Sequence, residues 1–165
     1  MIRVLFVCLG NICRSPTAEG VFRHQLREAG LEELVDVESA GTHAFHTGEK
    51  ADSRSVRAAA RRGYDLSRHR ARPVEARDFV EFDYVLAMDR ENLRNLESVA
   101  ARSRGVARVG MFLEFAADSG FDEVPDPYSR GEEGFEIVLD LIEEAGRGLL
   151  EHLRTQDLHA RDRGA

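Results

Sequence analysis

The chain has 165 residues, of which 42% are hydrophobic and 32% are charged, and its formal net charge is −7 at pH 7. A chain of this length fits one domain with its own core, and its apolar runs are too short to span a bilayer. Its acidic charge argues against nucleic acid as a partner, because nucleic-acid binding depends on a basic surface that neutralises phosphates. We therefore expect one domain over residues 1–165, without membrane insertion.

The first predicted strand covers Ile2 to Val7, a continuous apolar run typical of a parallel strand buried on both faces. The run is shorter than the core of a signal peptide, and a polar loop follows it, so we expect a cytoplasmic protein. Ser15 is predicted to be the N-cap of the next helix, with Pro16 in the first helical position and Gly30 at the end. Alternation from Leu34 to Ser39 predicts a second strand that completes a βαβ unit.

The rest of the chain alternates predicted helices and strands, with one long loop. We predict a helix from Asp52 to Gly63, a strand from Phe82 to Met88, a helix from Asp89 to Val99 capped by Asp89, a short strand from Ala107 to Met111, a surface loop from Phe121 to Gly134, a helix from about Phe135 to Leu153, and a frayed polar tail from Thr155 to Ala165. This order predicts an α/β fold with a doubly wound parallel sheet, in which ligands bind at the carboxyl ends of the strands.

Seven arginines and a single acidic residue fall between Arg54 and Arg72. Such a cluster is typical either of a solvated helix face or of a patch that attracts anions. Of these two interpretations, we favour the solvated helix face.

The segment from Cys8 to Arg14, between the first strand and its helix, has the residue types of a phosphate-binding loop. Its backbone N–H groups and the helix N-terminus can converge on one anion, and Gly10 and Asn11 tolerate the backbone angles that this requires. Arg14 offers a planar fork to two phosphate oxygens. Because the same positive environment favours a Cys8 thiolate, the loop predicts a nucleophile beneath a bound phosphate.

Cys8 and Cys13 are the only cysteines. Two cysteines in one loop are too few for a disulfide scaffold or a zinc site, which leaves reactive thiol chemistry or two buried structural cysteines. Cleavage of a phosphomonoester also needs a proton donor for the leaving oxygen. Asp126, between two prolines, is either an ordinary turn residue or this acid, and the loop at Cys8 favours the acid.

The stretch VCLGNICRSPTAEG at residues 7–20 resembles the active-site signature of the low-molecular-weight protein tyrosine phosphatases. The resemblance continues in order through ESAGT at 38–42, DLSRHRAR at 65–72, AMDREN at 87–92 and VPDPY at 124–128. It implies a four-stranded parallel sheet with helices on both sides. It also implies hydrolysis of phosphotyrosine in protein substrates through a phosphocysteine, without a metal or cofactor.

The resemblance assigns roles to residues of this chain. It implies catalysis by Cys8, Arg14 and Asp126, and substrate binding by Leu9, Gly10, Asn11, Ile12, Cys13, Phe45 and Tyr128. It implies that the loop is supported by Asn11, Ser15, Ser39 and His69, and that Cys13 forms a reversible disulfide with Cys8 on oxidation. Local sequence leaves open that Phe45 and Tyr128 only pack, that His69 is an ordinary polar histidine, and that Cys13 only fills space.

Three other functions are compatible with parts of this sequence. Arsenate reductases of the same fold relay a disulfide through further cysteines, which do not occur after Cys13. In the related protein arginine phosphatases a threonine typically occupies the position of Ile12, so Ile12 favours an aryl phosphate. A non-catalytic phosphate-binding module would be expected to lack the nucleophile or the acid, yet both residue types are present. We expect the enzyme to be a monomer.

Overall fold

A four-stranded parallel sheet forms the centre of the protein, with the strand order β2-β1-β3-β4. The computed structural model describes residues 1–158. The strands are β1 (Ile2–Cys8), β2 (Val35–Gly41), β3 (Tyr84–Ala87) and β4 (Arg108–Met111). The predicted α/β fold with a four-stranded parallel sheet is confirmed.

Helices connect the strands and cover both faces of the sheet. They are α1 (Arg14–Glu28), α2 (Ser53–Arg61), α3 (Asp78–Glu81), α4 (Arg90–Ala100) and α5 (Glu132–His152). Two 3-10 segments, Phe112–Phe115 and Ala117–Ser119, follow β4, and a π-helical segment, Leu153–Leu158, extends α5. Within residues 1–158, no helix has the length and apolar character needed to cross a membrane.

Strand β1 is buried on both faces, which explains its continuous apolar sequence. Val4 and Phe6 belong to the core formed with α1 and α5, where the Phe6 ring centroid lies 5.8 Å from that of Phe22. Leu5 and Val7 belong to a second core with α3 and α4. Alternate residues of one strand thus join the helical layers on either side of the sheet.

The strand order places the end of β1 at the point where the sheet changes its winding direction. Strand β1 pairs with β2 on one side and with β3 on the other. In doubly wound sheets the crevice at such a point is the usual ligand site, because the two connections leave in opposite directions. The loop after Cys8 lies at this position.

The start of α1 differs from the prediction. The helix begins at Arg14, its N-cap is Cys13 without a side-chain cap, and Ser15 is therefore not the N-cap. The Ser15 hydroxyl instead turns inward toward Cys8 and Asn11. Pro16 becomes the third helical residue, where its missing N–H still costs no intrahelical bond. Gly30, with φ 71°, follows the helix end as predicted.

Local signals located three other parts of the fold with unequal success. Asp89 caps α4 by accepting a hydrogen bond of 2.8 Å from the Asn92 N–H, as predicted. Helix α5 begins at Glu132 rather than Phe135, since acidic residues stabilise a helix N-terminus. Helix α3 was not predicted, because a single turn carries no periodic pattern.

The predicted fraying from Thr155 is wrong for residues 155–158. These residues belong to the π-helical segment, in which Asp157 accepts a hydrogen bond of 2.5 Å from the Tyr84 hydroxyl. Leu158 packs against the core. The rest of the predicted tail, 159–165, lies outside the described residues.

Four of the seven clustered arginines form internal ion pairs. Arg62 contacts Glu136 at 2.6 Å and Glu143 at 2.5 Å, both on α5. The other three are Arg54 with Asp52, Arg61 with Glu136, and Arg72 with Asp78. Much of this cluster therefore joins structural elements together and is neither a purely solvated face nor a free anion patch.

Candidate active site

The loop after β1 lies directly against the end of β2. The Thr42 N–H donates to the Cys8 carbonyl at 2.9 Å, and the His43 N–H donates to the Leu9 carbonyl at 2.9 Å. A Cβ atom on Gly41 would lie 2.8 Å from the Leu9 oxygen, so only glycine allows this approach. Gly41 had no predicted role, although it stands in the quoted ESAGT motif; the signal was the glycine at the end of a strand.

Asn11 holds the loop in shape. It has a left-handed backbone with φ 58°, and its amide nitrogen donates to Ser15 Oγ at 2.8 Å and to Ser39 Oγ at 3.0 Å. Its amide oxygen accepts from the Arg72 N–H at 3.0 Å, and its carbonyl lies 2.6 Å from His69 Nε2. The structure thus brings together the four residues that the resemblance implies as loop support.

His69 contacts the loop as a neutral hydrogen-bond donor. Burial lowers its pKa, and Arg70 lowers it further, while the hydrogen bond to Asn11 works in the opposite direction. The net pKa lies below the ordinary value, so the imidazole is neutral at neutral pH. Because its partner is a carbonyl, the proton is on Nε2, which donates to Asn11.

Replacing Asn11 separates the contribution of its left-handed backbone to stability from that of its side-chain hydrogen bonds. We expect Asn11→Ala to lower the free energy of unfolding by about 3 kcal/mol, because it loses three side-chain hydrogen bonds and strains a left-handed residue. The matched variant Asn11→Gly loses the same bonds without the strain, and we expect it to be about 1 kcal/mol more stable than Asn11→Ala. Urea denaturation measures both values. Equal stabilities would contradict the left-handed conformation.

Cys8 and Arg14 form the floor of the site. Cys8 Sγ lies 3.0 Å from Ser15 Oγ. The Arg14 side chain is only 3% exposed, and its Nη1 donates to Asp89 Oδ2 at 2.7 Å and to the Val124 carbonyl at 3.0 Å. Burial by itself would lower the pKa of Arg14, but Cys8 and the neighbouring carboxylates raise it above its ordinary value. A fixed, fully charged guanidinium therefore lies beside the Cys8 thiol.

Asp126 lies close to Arg14, although it belongs to the long loop before α5. Its Oδ2 lies 3.8 Å from Arg14 Nη2, and its side chain is 47% exposed. Its Oδ1 accepts a hydrogen bond of 3.1 Å from the Tyr128 N–H, which closes a turn of the kind that aspartate commonly forms. This carboxyl is thus tied to its loop by one oxygen and faces Arg14 with the other.

A cavity of about 220 Å³ opens above the loop. Its lining residues are Cys8, Leu9, Gly10, Ile12, Cys13, Arg14, His46, Asp126 and Tyr128. Most of the predicted catalytic and substrate-binding residues therefore meet in one cavity. Asn11 is fully buried and does not line it, so Asn11 shapes the cavity without reaching its surface.

Phe45 lies apart from the other predicted substrate-binding residues. Phe45 does not line the cavity, is 82% exposed, and stacks on His43 with ring centroids 4.9 Å apart. The neighbouring His46 lines the cavity, close enough to Gly10 that a Cβ there would lie 2.9 Å from His46 Cδ2. Its Nδ1 lies 2.5 Å from Glu49 Oε2. The sequence carries no signal for His46, because a loop has no periodicity to show which of two neighbouring side chains turns inward.

Cys13 differs from Cys8 in its surroundings. Both cysteines are buried and free. Burial, with a smaller contribution from Asp52, raises the pKa of Cys13 to about 12. Cys13 is therefore a neutral thiol at neutral pH and a poor nucleophile compared with a thiolate.

The chain is similar to proteins of one known family. Residues 3–159 match the family described as low molecular weight phosphotyrosine protein phosphatase. A low molecular weight protein-tyrosine-phosphatase of Streptomyces coelicolor is 45% identical over 156 residues, which is 93% of this chain and 94% of that protein.

Solved structures agree with this match. A protein tyrosine phosphatase from Entamoeba histolytica superimposes with a TM-score of 0.89 at 38% identity, over 96% of this chain and 100% of that one. A Drosophila arginine phosphatase also superimposes with a TM-score of 0.89, at 31% identity, over 94% of this chain and 100% of that one. Together with the cavity that joins Cys8, Arg14 and Asp126, these matches establish that the chain belongs to the low molecular weight phosphotyrosine protein phosphatases, a family of cysteine-dependent phosphatases.

Proposed function

We propose that this protein hydrolyses phosphotyrosine in protein substrates, with Cys8 as nucleophile, Arg14 as phosphate-binding residue and Asp126 as general acid and base. The observation that supports it best is the shared cavity, in which a thiol, a buried guanidinium and a carboxyl from a distant loop meet. A cysteine phosphatase needs these three groups at one phosphorus atom.

The substrate phosphate binds between the loop and Arg14. Helix α1 has no side-chain cap, so its first-turn N–H groups are available to an anion. Arg14 supplies two parallel donors and stays charged in its buried position. Because these groups stabilise the transferring phosphoryl group, the proposal requires no metal, and we expect full activity in the presence of a chelator.

In the first chemical step, Cys8 Sγ attacks phosphorus and the bond to the tyrosyl oxygen breaks. Asp126 gives its proton to that oxygen, so tyrosine leaves as the neutral phenol. The Ser15 hydroxyl, 3.0 Å from Sγ, donates a hydrogen bond that stabilises the thiolate before attack. The product of this step is a phosphocysteine.

In the second step, water hydrolyses the phosphocysteine. Asp126, now ionised, takes a proton from the attacking water, and the phosphorus–sulfur bond breaks to release inorganic phosphate. The same Ser15 hydroxyl and the Arg14 charge stabilise the departing thiolate. The exposed position of Asp126 at the cavity rim suits both roles, because it can contact the leaving group and then bulk water.

The cavity walls favour an aryl phosphate. Ile12 and Tyr128 line it, and an aliphatic and an aromatic side chain are suited to contact with a phenyl ring. The guanidinium of phosphoarginine would lose hydration against such walls. The likeness to the Drosophila arginine phosphatase makes phosphoarginine the alternative substrate.

The test is hydrolysis of matched peptides that carry phosphotyrosine or phosphoarginine at one position, with chelator present. We expect kcat/KM to favour the phosphotyrosine peptide by at least about tenfold, because desolvating a buried polar group costs a kcal/mol or more. Ile12→Thr is the matched variant, and it should reduce the ratio of kcat/KM for the phosphotyrosine peptide to that for the phosphoarginine peptide. Hydrolysis of the phosphoarginine peptide alone would replace the proposed substrate, and phosphate binding without turnover would make the protein a phosphate receptor.

We further propose a reversible oxidation of the two cysteines. Peroxide oxidises the Cys8 thiolate to a sulfenic acid, and the Cys13 thiol then displaces water to form a Cys8–Cys13 disulfide. The raised pKa of Cys13 makes Cys8, the cysteine beside Arg14, the one that peroxide oxidises first. The position of both cysteines in one cavity supports the disulfide between them. Reduction by a thiol would restore activity, whereas overoxidised Cys8 would not recover.

We propose a monomer in the cytoplasm as the working form. The three catalytic groups lie on one chain and meet in one cavity, so the proposed chemistry needs no residue from a second copy. Both cysteines are free, as is typical of proteins in a reducing compartment.

A further inference from the structure

The guanidinium of Arg54 lies next to the cavity, between the loop that contains Cys8 and the loop that carries Asp126. The nucleophile loop and the loop that carries Asp126 are distant in sequence, yet Arg54, in the first turn of α2, lies between them. Its carbon Cζ is 5.3 Å from the centroid of the Tyr128 ring and 4.9 Å from that of Phe135. Cation–π contact of this kind fixes the orientation of an aromatic side chain.

Arg54 is itself held from the side of the nucleophile loop. Its Nε donates to Asp52 Oδ1 at 3.1 Å and its Nη2 to Asp52 Oδ2 at 3.0 Å, which is a two-pronged pair. The Asp52 N–H donates to the Ile12 carbonyl at 2.8 Å. Asp52 therefore attaches Arg54 to the loop that contains Cys8.

The other end of this connection is Asp126. Tyr128 is 53% exposed, so the bulk of the protein does not fix its ring, and the contact with Arg54 is a specific restraint. The Tyr128 N–H donates to Asp126 Oδ1 at 3.1 Å. A restraint on Tyr128 is thus passed on to the Asp126 carboxyl through this turn.

We propose that Arg54 is a positioning residue that holds Tyr128, and through it the Asp126 carboxyl, over the phosphate loop. The inference rests on the proposed function, because it requires Asp126 to be the general acid. We assign Arg54 no direct contact with the substrate phosphate, because Asp52 pairs with its guanidinium and Arg54 does not line the cavity. Its effect is on proton transfer to the leaving group.

This role predicts a dependence on the leaving group. The p-nitrophenolate ion departs readily without a proton, whereas the phenolate of phenyl phosphate needs one. We expect Arg54→Met to lower kcat/KM for phenyl phosphate about tenfold and for p-nitrophenyl phosphate by less than about threefold, as a displaced general acid would. Asp126→Asn should also lower kcat/KM more for phenyl phosphate than for p-nitrophenyl phosphate, and by a larger factor. Arg54→Lys should lower kcat/KM for phenyl phosphate less than Arg54→Met does.

Two controls separate positioning from a general structural effect. Arg57→Met changes an exposed arginine of the same helix and should leave both substrates unaffected. In the double variant Arg54→Met with Asp126→Asn, removing Arg54 should cost nothing further, because groups that act through one another are not additive. The melting temperature of each variant shows that it is folded.

The outcomes distinguish this inference from the proposed function. Absence of turnover in the wild type, or an unimpaired Asp126→Asn variant, would overturn the proposed function and this inference with it. Turnover with a selective loss in Asp126→Asn, but equal losses on both substrates in Arg54→Met or additive losses in the double variant, would overturn only the positioning role.

Discussion

The variant Cys8→Ser is expected to lose phosphatase turnover by at least about four orders of magnitude, because a serine hydroxyl has no thiolate-like form at neutral pH to attack phosphorus. The fold should survive, since a hydroxyl can keep the contact with Ser15 that Sγ makes at 3.0 Å. Steady-state hydrolysis of p-nitrophenyl phosphate measures the loss, and calorimetry with inorganic phosphate shows whether binding is retained.

The matched control is Cys13→Ser in the same loop. Cys13 is a neutral thiol with a raised pKa, and we expect its replacement to lower kcat/KM by less than about tenfold. If turnover survives in Cys8→Ser but disappears in Cys13→Ser, the nucleophile is Cys13 and the assignment to Cys8 is wrong. A folded Cys8→Ser protein that neither binds phosphate nor turns it over would contradict the loop as the phosphate site.

The second large effect is expected from Arg14→Lys, which keeps the charge and removes the planar fork. Lysine cannot replace both bonds of Nη1, to Asp89 Oδ2 at 2.7 Å and to the Val124 carbonyl at 3.0 Å, and still donate twice to phosphate. We expect kcat/KM to fall about 10²- to 10³-fold, which is the usual cost of removing one transition-state donor.

Arg90→Lys provides the comparison for Arg14→Lys. Arg90 is an exposed arginine at the same edge of the sheet, paired with Asp122 at 2.5 Å, and its replacement should change kcat/KM by less than about twofold. Hydrolysis of p-nitrophenyl phosphate and thermal unfolding are measured for both variants. If Arg14→Lys loses no more activity than Arg90→Lys, the fork geometry of Arg14 is not part of the chemistry.

The local sequence was sufficient for the elements whose signals lie within a few residues. The apolar run of β1 requires burial on both faces, and the structure buries alternate residues in the two cores. Asp89 caps α4 because its side chain reaches an N–H three residues ahead. The segment from Cys8 to Arg14 is likewise contiguous. Its residues that tolerate unusual backbone angles, its positive charge and its thiol therefore predict a phosphate-binding loop together.

The path by which distant residues reach the site depends on tertiary packing. Asp126 was already expected as the acid, but it comes within 3.8 Å of Arg14 because the loop before α5 folds over the end of β1, and no local pattern encodes that path. His46 lines the cavity where Phe45 was expected, and Ser15 turns toward Cys8 where a helix cap was expected. Periodicity and capping are short-range signals, whereas the direction of a loop side chain depends on what packs against it after folding. Short-range signals in the sequence therefore predict the sheet and the loop at Cys8. The cavity walls depend on how loops from three parts of the chain pack together, because long-range contacts set the direction of a loop side chain.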